Sequence, residues 1–298
     1  MSLIGVPARH GFGRRIAIAG GVAAVVLIGV TAWTWFDAQR YPVDALAGTT
    51  PARTAMMKQR ALEATRRGEL ARITQRWVPY ERISPTLRRA VLVAEDDAFF
   101  EHGGLDWNEI NASMRKNLEE HRVVRGGSTI TQQLARNLFL GDRRTLTRKL
   151  TEALLAIRLE RALSKRRIFE LYLNLIEWGD GIYGIEAAAR HYFGVPAAGL
   201  NTRQSVLLAA VIINPHRFSV LSPSSRIQRR VRIIAGRLRR RGALDGAGYE
   251  LAIDAPAGSI MQTVPAAPAI PLAADSSLSE PDAGGAAEPD TLASGTPH

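Results

Sequence analysis

The chain has 298 residues, enough for one or two domains, and no cysteine, which excludes disulfides, thiolate zinc sites and cysteine nucleophiles. Its 39 Lys and Arg against 28 Asp and Glu give a formal net charge of +11, which favours a phosphate-bearing partner or an anionic membrane surface. The six histidines form no H-E-x-x-H pattern, and no nucleic-acid-binding motif accompanies the basic charge, so we expect no nucleic-acid partner.

An uncharged stretch near the N-terminus predicts a membrane span. Ile16 to Phe36 contains 21 residues without a charge, and as a helix it would measure roughly 30 Å, the thickness of the hydrocarbon core. Arg9, Arg14 and Arg15 precede it and Asp37 follows, so the positive-inside rule places residues 1–15 in the cytoplasm and the remainder outside. A cleaved signal peptide is the alternative, but the apolar run is long and no small-x-small cleavage site follows.

The rest of the chain divides into three segments by composition. Residues 37–76 are polar and basic, and we interpret them as a linker with some helix around Ala55 to Arg67. Residues 77–245 show helical spacing and few alternating β-branched runs, so the predicted fold class is all-α. Residues 246–298 are rich in Ala, Pro, Gly, Ser and Asp, with no Lys or Arg after residue 250, and are predicted to be a disordered low-complexity tail.

The stretch from Ala94 to Trp107 (A-E-D-D-A-F-F-E-H-G-G-L-D-W) concentrates acidic and aromatic residues behind a predicted helix. Ser84 followed by Pro85 is typical of a helix start, which places Glu95 about three turns in, near the C-terminal end. There the helix dipole disfavours negative charge and apolar neighbours disfavour ionisation, so we expect a raised pKa and a better base at Glu95. The alternative is a solvated acidic turn.

A second stretch, Gly126 to Gln133, reads G-G-S-T-I-T-Q-Q. Thr129 and Gln132 have the spacing of a capping box, so the glycines lead into a helix whose free N–H groups and positive dipole end can face an anion. Capped helices also follow glycines without any ligand, and that alternative stays open.

A third stretch, Arg143 to Arg161, is predicted to be a helix with an apolar stripe of Leu146, Leu150, Ala153, Leu154 and Ile157. On another face Arg148 lies four residues, and Lys149 three residues, before Glu152, which fixes a carboxylate between two cations. An ordinary surface ion-pair helix is the alternative.

In this order, the stretches resemble the peptidoglycan glycosyltransferase family, the lysozyme-like enzymes that polymerise lipid II. The resemblance covers Trp77 to Val220, and a single anchor with no downstream domain is similar to the monofunctional biosynthetic members. Two positions depart from the family pattern: Gln204 replaces a glutamate and Arg136 replaces a lysine. The motifs are Glu95-Asp96-x-x-Phe99-x-x-His102-x-Gly104, Gly127 to Gln133 with Arg136-Asn137, Arg148-Lys149-x-x-Glu152, Tyr172-Leu173-Asn174, Ala187-Ala188, Tyr192-Phe193-Gly194 and Asn214-Pro215-x-Arg217-Phe218.

The resemblance implies a lysozyme-like helical domain that joins lipid II units into β-1,4-linked glycan by an inverting displacement and releases undecaprenyl pyrophosphate. It implies that Glu95 is the general base and that Glu152 orients the cations that neutralise the leaving group. The substrate-binding residues that it implies are Asp96, Phe99, His102, Ser128, Thr129, Gln132, Gln133, Arg136, Asn137, Arg148 and Lys149.

It also implies a divalent cation, Mg²⁺ or Mn²⁺, on the diphosphate, although the sequence assigns no metal ligand. The implied partners are lipid II, the nascent glycan strand, the membrane and other cell-wall synthesis proteins. The implied location is the bacterial inner membrane, single-pass, with a periplasmic catalytic domain. Leu138-Phe139-Leu140 with Arg143 and Arg144 would reach the interface or pack in the core.

Two rival functions use the same residues differently. A lytic, lysozyme-like hydrolase of finished glycan also needs one key glutamate, but it has no need for Arg148, Lys149 and Glu152. A non-catalytic scaffold would bind anionic lipid through the basic surface and would tolerate the loss of Glu95.

Overall fold

The computed structural model describes residues 10–120, 127–142 and 145–254, and helices dominate them, which confirms the all-α prediction. A small three-stranded sheet of order β1-β3-β2 accompanies the helices. The helices are α1 (His10–Gln39), α2 (Ala55–Arg66), α3 (Pro85–Glu95), α4 (Trp107–Glu119), α5 (Ile130–Ala135), α6 (Leu146–Ala162), α7 (Lys165–Leu175), α8 (Ile185–Phe193), α9 (Thr202–Val211), α10 (Ser225–Arg240) and α11 (Gly246–Asp254), and the strands are β1 (Thr74–Gln75), β2 (Glu177–Gly179) and β3 (Ile182–Tyr183).

Side-chain caps begin many of these helices. Thr129 and Gln132 form the predicted capping box at α5, and Asn201 caps α9. Ser84 precedes α3 as predicted, but it makes no side-chain cap; its hydroxyl donates to the Leu200 carbonyl at 3.2 Å. Through this bond Ser84 holds the beginning of α3 against Leu200, which lies just before α9.

In the core α3, α9 and α10 pack on one another, and α7 packs on α5 and α8. Its largest members, Tyr172 and Trp178, are completely buried. In α6 the predicted apolar stripe is wrong, because Leu146 is 87% exposed and Leu150 46% exposed, whereas Leu155 and Leu159 are buried. The buried face of α6 carries Glu152 together with Leu155, Ala156 and Leu159.

Residues 37–76, interpreted as a linker, are largely part of the folded body. The predicted helix is present as α2, but Met57 is completely buried and α2 packs on the π-helical turn Arg136–Leu140 that continues α5. β1 pairs in parallel with β3. At the other end, α11 packs on α9 and α10 through the buried Ala252, so the fold continues into the segment predicted to be tail. The rest of that segment, 255–298, lies outside the described residues.

The N-terminal helix is compatible with a single-pass membrane anchor, since Gly20–Gln39 is long and apolar enough to cross a membrane. Its C-terminal end packs on α6, where Arg158 donates to the carbonyl of the buried Ala38. The Tyr41 ring lies 5.1 Å from that of Phe139, and Leu138 is buried, so core packing accounts for this apolar segment. Arg143 and Arg144 lie outside the described residues, as do residues 1–9.

Asn174 holds the segment before α3 against α7. Its side chain accepts from Val78 N at 2.8 Å and donates to Val78 O at 3.0 Å, and Val78 is buried. We expect Asn174→Leu to lower the free energy of unfolding by roughly 1–3 kcal/mol for each buried backbone group left unpaired. Urea denaturation followed by circular dichroism measures this, and the exposed Asn111→Leu is the control. Equal midpoints for both variants would contradict the assignment.

Candidate active site

Glu95 lies in the last turn of α3, as predicted, with its side chain 11% exposed. One carboxylate oxygen accepts from Gln133 Nε2 at 3.1 Å and the other from Arg230 Nη2 at 2.6 Å. Three helices, α3, α5 and α10, therefore converge on a single carboxylate.

The pKa of Glu95 is raised, in the direction predicted from the sequence. Burial is the cause, and it outweighs the positive charge of Arg230, the hydrogen bond from Gln133 and the charge of Arg136, all of which lower the pKa. A carboxylate with a raised pKa accepts a proton more readily, which is what a general base requires.

Tyr172 fixes the orientation of Gln133. The phenol donates to Gln133 Oε1 at 3.0 Å, so the amide nitrogen faces Glu95. Burial raises the pKa of Tyr172 well above its usual value of 10.0, which keeps the phenol protonated and able to donate. Tyr172 is thus a positioning residue for the candidate base.

The predicted pair of cations surrounds Glu152, which is completely buried. Arg148 Nη1 lies 2.7 Å from one oxygen of Glu152, and Lys149 Nζ lies 2.5 Å from the other. Lys149 also donates to Ser128 Oγ at 2.8 Å, and its side chain is 46% exposed against 16% for Arg148. We call Ser128, Arg148, Lys149 and Glu152 the cation clamp; Lys149 is its solvent-facing charge.

Asp96 and His102 hold the loop after α3 instead of facing outward. Asp96 is buried and accepts from His102 Nε2 at 3.0 Å and from Ile130 N at 2.9 Å. His102 Nδ1 accepts from Gly104 N at 3.2 Å, so both ring nitrogens are occupied. Asp96 joins the end of α3 to the start of α5, which is a positioning role, and the substrate contacts of Asp96 and His102 stay predictions.

Phe99, another predicted substrate-binding residue, is completely buried. Its ring centroid lies 5.7 Å from that of Phe169 and 4.3 Å from the Lys165 ammonium. Thr129 and Gln132 are buried in the capping box, and the Thr129 hydroxyl donates to Gly104 O. These three residues pack in the core or cap α5, and their contacts with substrate stay predictions.

Of the remaining predicted residues, Gln133 and Arg136 line a cavity beside Glu95, as does Asn137, whose amide donates to Gln133 O at 2.8 Å. The structure therefore brings Glu95, Gln133 and Arg136 together near the C-terminal end of α5. The cation clamp lies at the N-terminal end, where Ser128 precedes the helix.

Arg230 is the site residue that sequence reasoning missed. It lies 135 residues from Glu95, on a helix whose apolar face (Ile227, Val231, Ile234) packs inward. On the same helix Arg237 donates to Val93 O at 3.1 Å. The amphipathic pattern of α10 is readable, but nothing in the sequence shows which arginine would meet α3.

A family model described as Transglycosylase matches residues 61–239, more than half of the chain. The chain belongs to this transglycosylase family.

Curated relatives agree. The biosynthetic peptidoglycan transglycosylase of Nitrosomonas eutropha is 48% identical over 188 residues, which are 63% of this chain and 77% of that protein. The biosynthetic peptidoglycan transglycosylase of Laribacter hongkongensis is 43% identical over 221 residues, 74% of this chain and 96% of the relative. That of Methylobacillus flagellatus is 50% identical over 169 residues, 57% of this chain and 74% of the relative. The family predicted from the motifs is confirmed, and the chain is a glycosyltransferase of peptidoglycan synthesis.

The matched region of this transglycosylase contains Glu95, the cation clamp and Arg230, whereas α1, half of α2 and α11 lie outside it. The chemical groups of the candidate site therefore lie in the shared domain.

We expect Arg230→Gln to move the acidic limb of the pH profile to higher pH. Arg230 lowers the pKa of Glu95, so removing its charge raises that pKa further, and a base works only above its pKa. The measurement is kcat/KM for glycan polymerisation against pH, with the exposed Arg232→Gln on the same helix as control. An unmoved acidic limb in a folded Arg230→Gln variant would show that this charge does not tune Glu95.

Proposed function

We propose that this transglycosylase polymerises lipid II into β-1,4-linked glycan and releases undecaprenyl pyrophosphate. One observation supports this: a carboxylate with a raised pKa and a pair of cations are attached to the two ends of one short segment. Ser128 touches Lys149, and Gln133 touches Glu95.

In this mechanism Glu95 removes the proton from the 4-hydroxyl of the incoming sugar as its oxygen attacks the anomeric carbon of the donor. The bond from the anomeric carbon to the phosphate oxygen breaks in the same step, and the electron pair leaves with the diphosphate. Lys149, supported by Arg148, neutralises the charge that develops there. A single displacement puts nucleophile and leaving group on opposite faces, so an α-linked donor gives a β-linked product.

A magnesium or manganese ion remains a proposal from the resemblance. Within the described part of the chain, the cation clamp offers such an ion no open carboxylate, because both oxygens of Glu152 face Arg148 or Lys149. We therefore expect the ion to arrive on the diphosphate of the substrate, and the mechanism above does not depend on it.

We also propose that α1 anchors the domain at the outer face of the bacterial inner membrane, with the N-terminus in the cytoplasm. The packing of Ala38 and Tyr41 on the domain supports a fixed relation between anchor and cleft. Because lipid II stays in the bilayer, a tethered domain meets it at a raised effective concentration.

The test is polymerisation of labelled lipid II by the full-length chain in detergent with magnesium, with products separated by glycan length. A ladder of lengthening glycan supports the proposal. Soluble fragments released from finished glycan would instead indicate a hydrolase, and neither product from a folded chain would indicate a scaffold.

A further inference from the structure

Positive charge is concentrated on α10. Seven of its 16 residues are arginine and none is acidic. One side of the helix is apolar and buried, and it consists of Ile227, Val231, Ile234, Ala235 and Leu238. The arginines therefore occupy the remaining sides, one against α3 and one toward solvent.

The side against α3 already has partners. Arg230 pairs with Glu95 at 2.6 Å, and Arg237 donates to Val93 O at 3.1 Å. Arg241, directly after the helix, pairs with Asp97 at 2.5 Å. These three arginines hold the end of α3, so we assign them no other ligand.

The side toward solvent has no partner in the described part of the chain. At about 100° per residue, Arg229, Arg232 and Arg240 lie away from the buried side of α10. All three are exposed, and none of them forms an ion pair or hydrogen bond with another described residue. Ile233, 49% exposed, lies among them. We call Arg229, Arg232, Ile233 and Arg240 the arginine face.

The chain that follows α11 starts beside this helix. α11 packs on α10 and α9, and the Arg239 guanidinium lies 5.6 Å from the centroid of the Tyr249 ring. α11 ends at Asp254. The chain after Asp254 therefore leaves from a helix that is held against α10.

That following chain is acidic, although its structure lies outside the described residues. Residues 255–298 contain five carboxylate side chains and no Lys or Arg. All five fall within residues 275–290, which we call the acidic segment, and Leu278 lies among them. The carboxylates are Asp275, Glu280, Asp282, Glu288 and Asp290.

The length of chain between α11 and the acidic segment matches the size of α10. Twenty residues separate Asp254 from Asp275, and a random-coil chain of that length has an average end-to-end distance of about 25 Å. A helix of 16 residues measures about 24 Å. The acidic segment can thus reach the whole arginine face, and because it is tethered, its effective concentration there is high.

We propose that the acidic segment docks on the arginine face of its own chain and shields α10 from other anions. Its carboxylates would lie beside Arg229, Arg232 and Arg240, and Leu278 would cover Ile233. The exposed isoleucine favours a peptide over a bare phosphate, because a peptide supplies apolar contacts as well as charge. This docking does not depend on the proposed function.

A cross-linking experiment tests the docking. The chain has no cysteine, so two introduced cysteines are its only thiols. The pair is Ser225→Cys, at the exposed start of α10, and Ser279→Cys in the acidic segment. A short bis-maleimide joins them in the full-length chain in detergent, and mass spectrometry measures the rate of the intramolecular cross-link.

We expect this rate to fall about three- to tenfold when Arg229→Gln, Arg232→Gln and Arg240→Gln are combined, the effect of losing three exposed ion pairs. Replacing the five carboxylates with amides should cause the same loss without changing any described residue. The rate should also fall at about 1 M salt, which screens exposed charges. The control combines Arg53→Gln, Arg66→Gln and Arg115→Gln, which remove equal charge from exposed positions elsewhere and should leave the rate unchanged.

Thermal melting confirms that each variant is folded. Equal rates in the arginine variant and its control would overturn the inference, as would equal cross-linking of Ser279→Cys to Asn111→Cys on α4. Cross-links between two chains would show that a second copy occupies the face. A cross-link that forms in phosphatidylcholine nanodiscs but not in phosphatidylglycerol nanodiscs would show that the face prefers anionic lipid, which also overturns the inference.

Discussion

Glu95→Gln lowers lipid II polymerisation by roughly 10²- to 10⁴-fold, the usual contribution of a general base. Glutamine keeps the shape of the side chain and can still accept from Arg230, but its amide cannot take the proton of the attacking hydroxyl. The fold should survive, because Arg230 is 25% exposed and water can solvate it when its partner loses its charge. The measurement is the initial polymerisation rate of the full-length variant beside its thermal melting midpoint.

The matched control is Glu101→Gln, which removes a carboxylate from an exposed position in the same acidic stretch. Its rate should equal that of the wild type. Normal turnover by folded Glu95→Gln would refute the assignment of the base, whereas equal losses in both variants would attribute the effect to the charge of the stretch and not to proton transfer.

Features of this site that could be predicted from the sequence depend on residues close together in the chain. The capping box joins Thr129 to Gln132, and the cation clamp joins Lys149 to Glu152, each three residues apart. Helical geometry alone places such pairs in contact. The end of α3 is local in the same way, which is why the position of Glu95 and the direction of its pKa shift were predictable.

What could not be predicted depends on how helices pack. Arg230 reaches Glu95 only because α10 lies on α3 in one particular register, and no local rule fixes that register. The predicted stripe of α6 was wrong because the helix has two sets of apolar residues, and tertiary packing buries the set of Leu155, Ala156 and Leu159 beside Glu152. In α2 the buried Met56 and Met57 share the helix with several charged residues. The average polarity of the segment therefore did not indicate that this helix packs against the domain.

Several residues predicted to contact substrate also have bonding partners within the protein. Asp96 and Thr129 belong to the motifs that carry the resemblance, yet both are buried in bonds to backbone or to other side chains. A motif marks residues that the site requires, and it does not separate those that touch substrate from those that hold the others in place. Burial and hydrogen-bond partners show which of these residues also hold their neighbours in place.

The second large effect is expected at the cation clamp, where Lys149→Gln should lower the rate of polymerisation by about 10²- to 10³-fold. Lys149 is the more exposed of the two cations and already reaches Ser128, so it is the group best placed to meet a diphosphate. Because negative charge on the bridging oxygen grows as the bond breaks, the loss should fall mainly on kcat and less on KM. Steady-state kinetics with lipid II separates the two.

The control is Lys58→Gln, which removes the same charge from an exposed position on α2 and should leave both constants unchanged. Arg148 gives a second comparison, since its side chain is only 16% exposed and its guanidinium mainly holds Glu152. Arg148→Lys keeps the charge but loses the planar geometry, so we expect it to retain more activity than Lys149→Gln. Wild-type kinetics in folded Lys149→Gln and Arg148→Gln would exclude a diphosphate clamp, because the remaining described groups around Ser128 would then suffice to stabilise the leaving group.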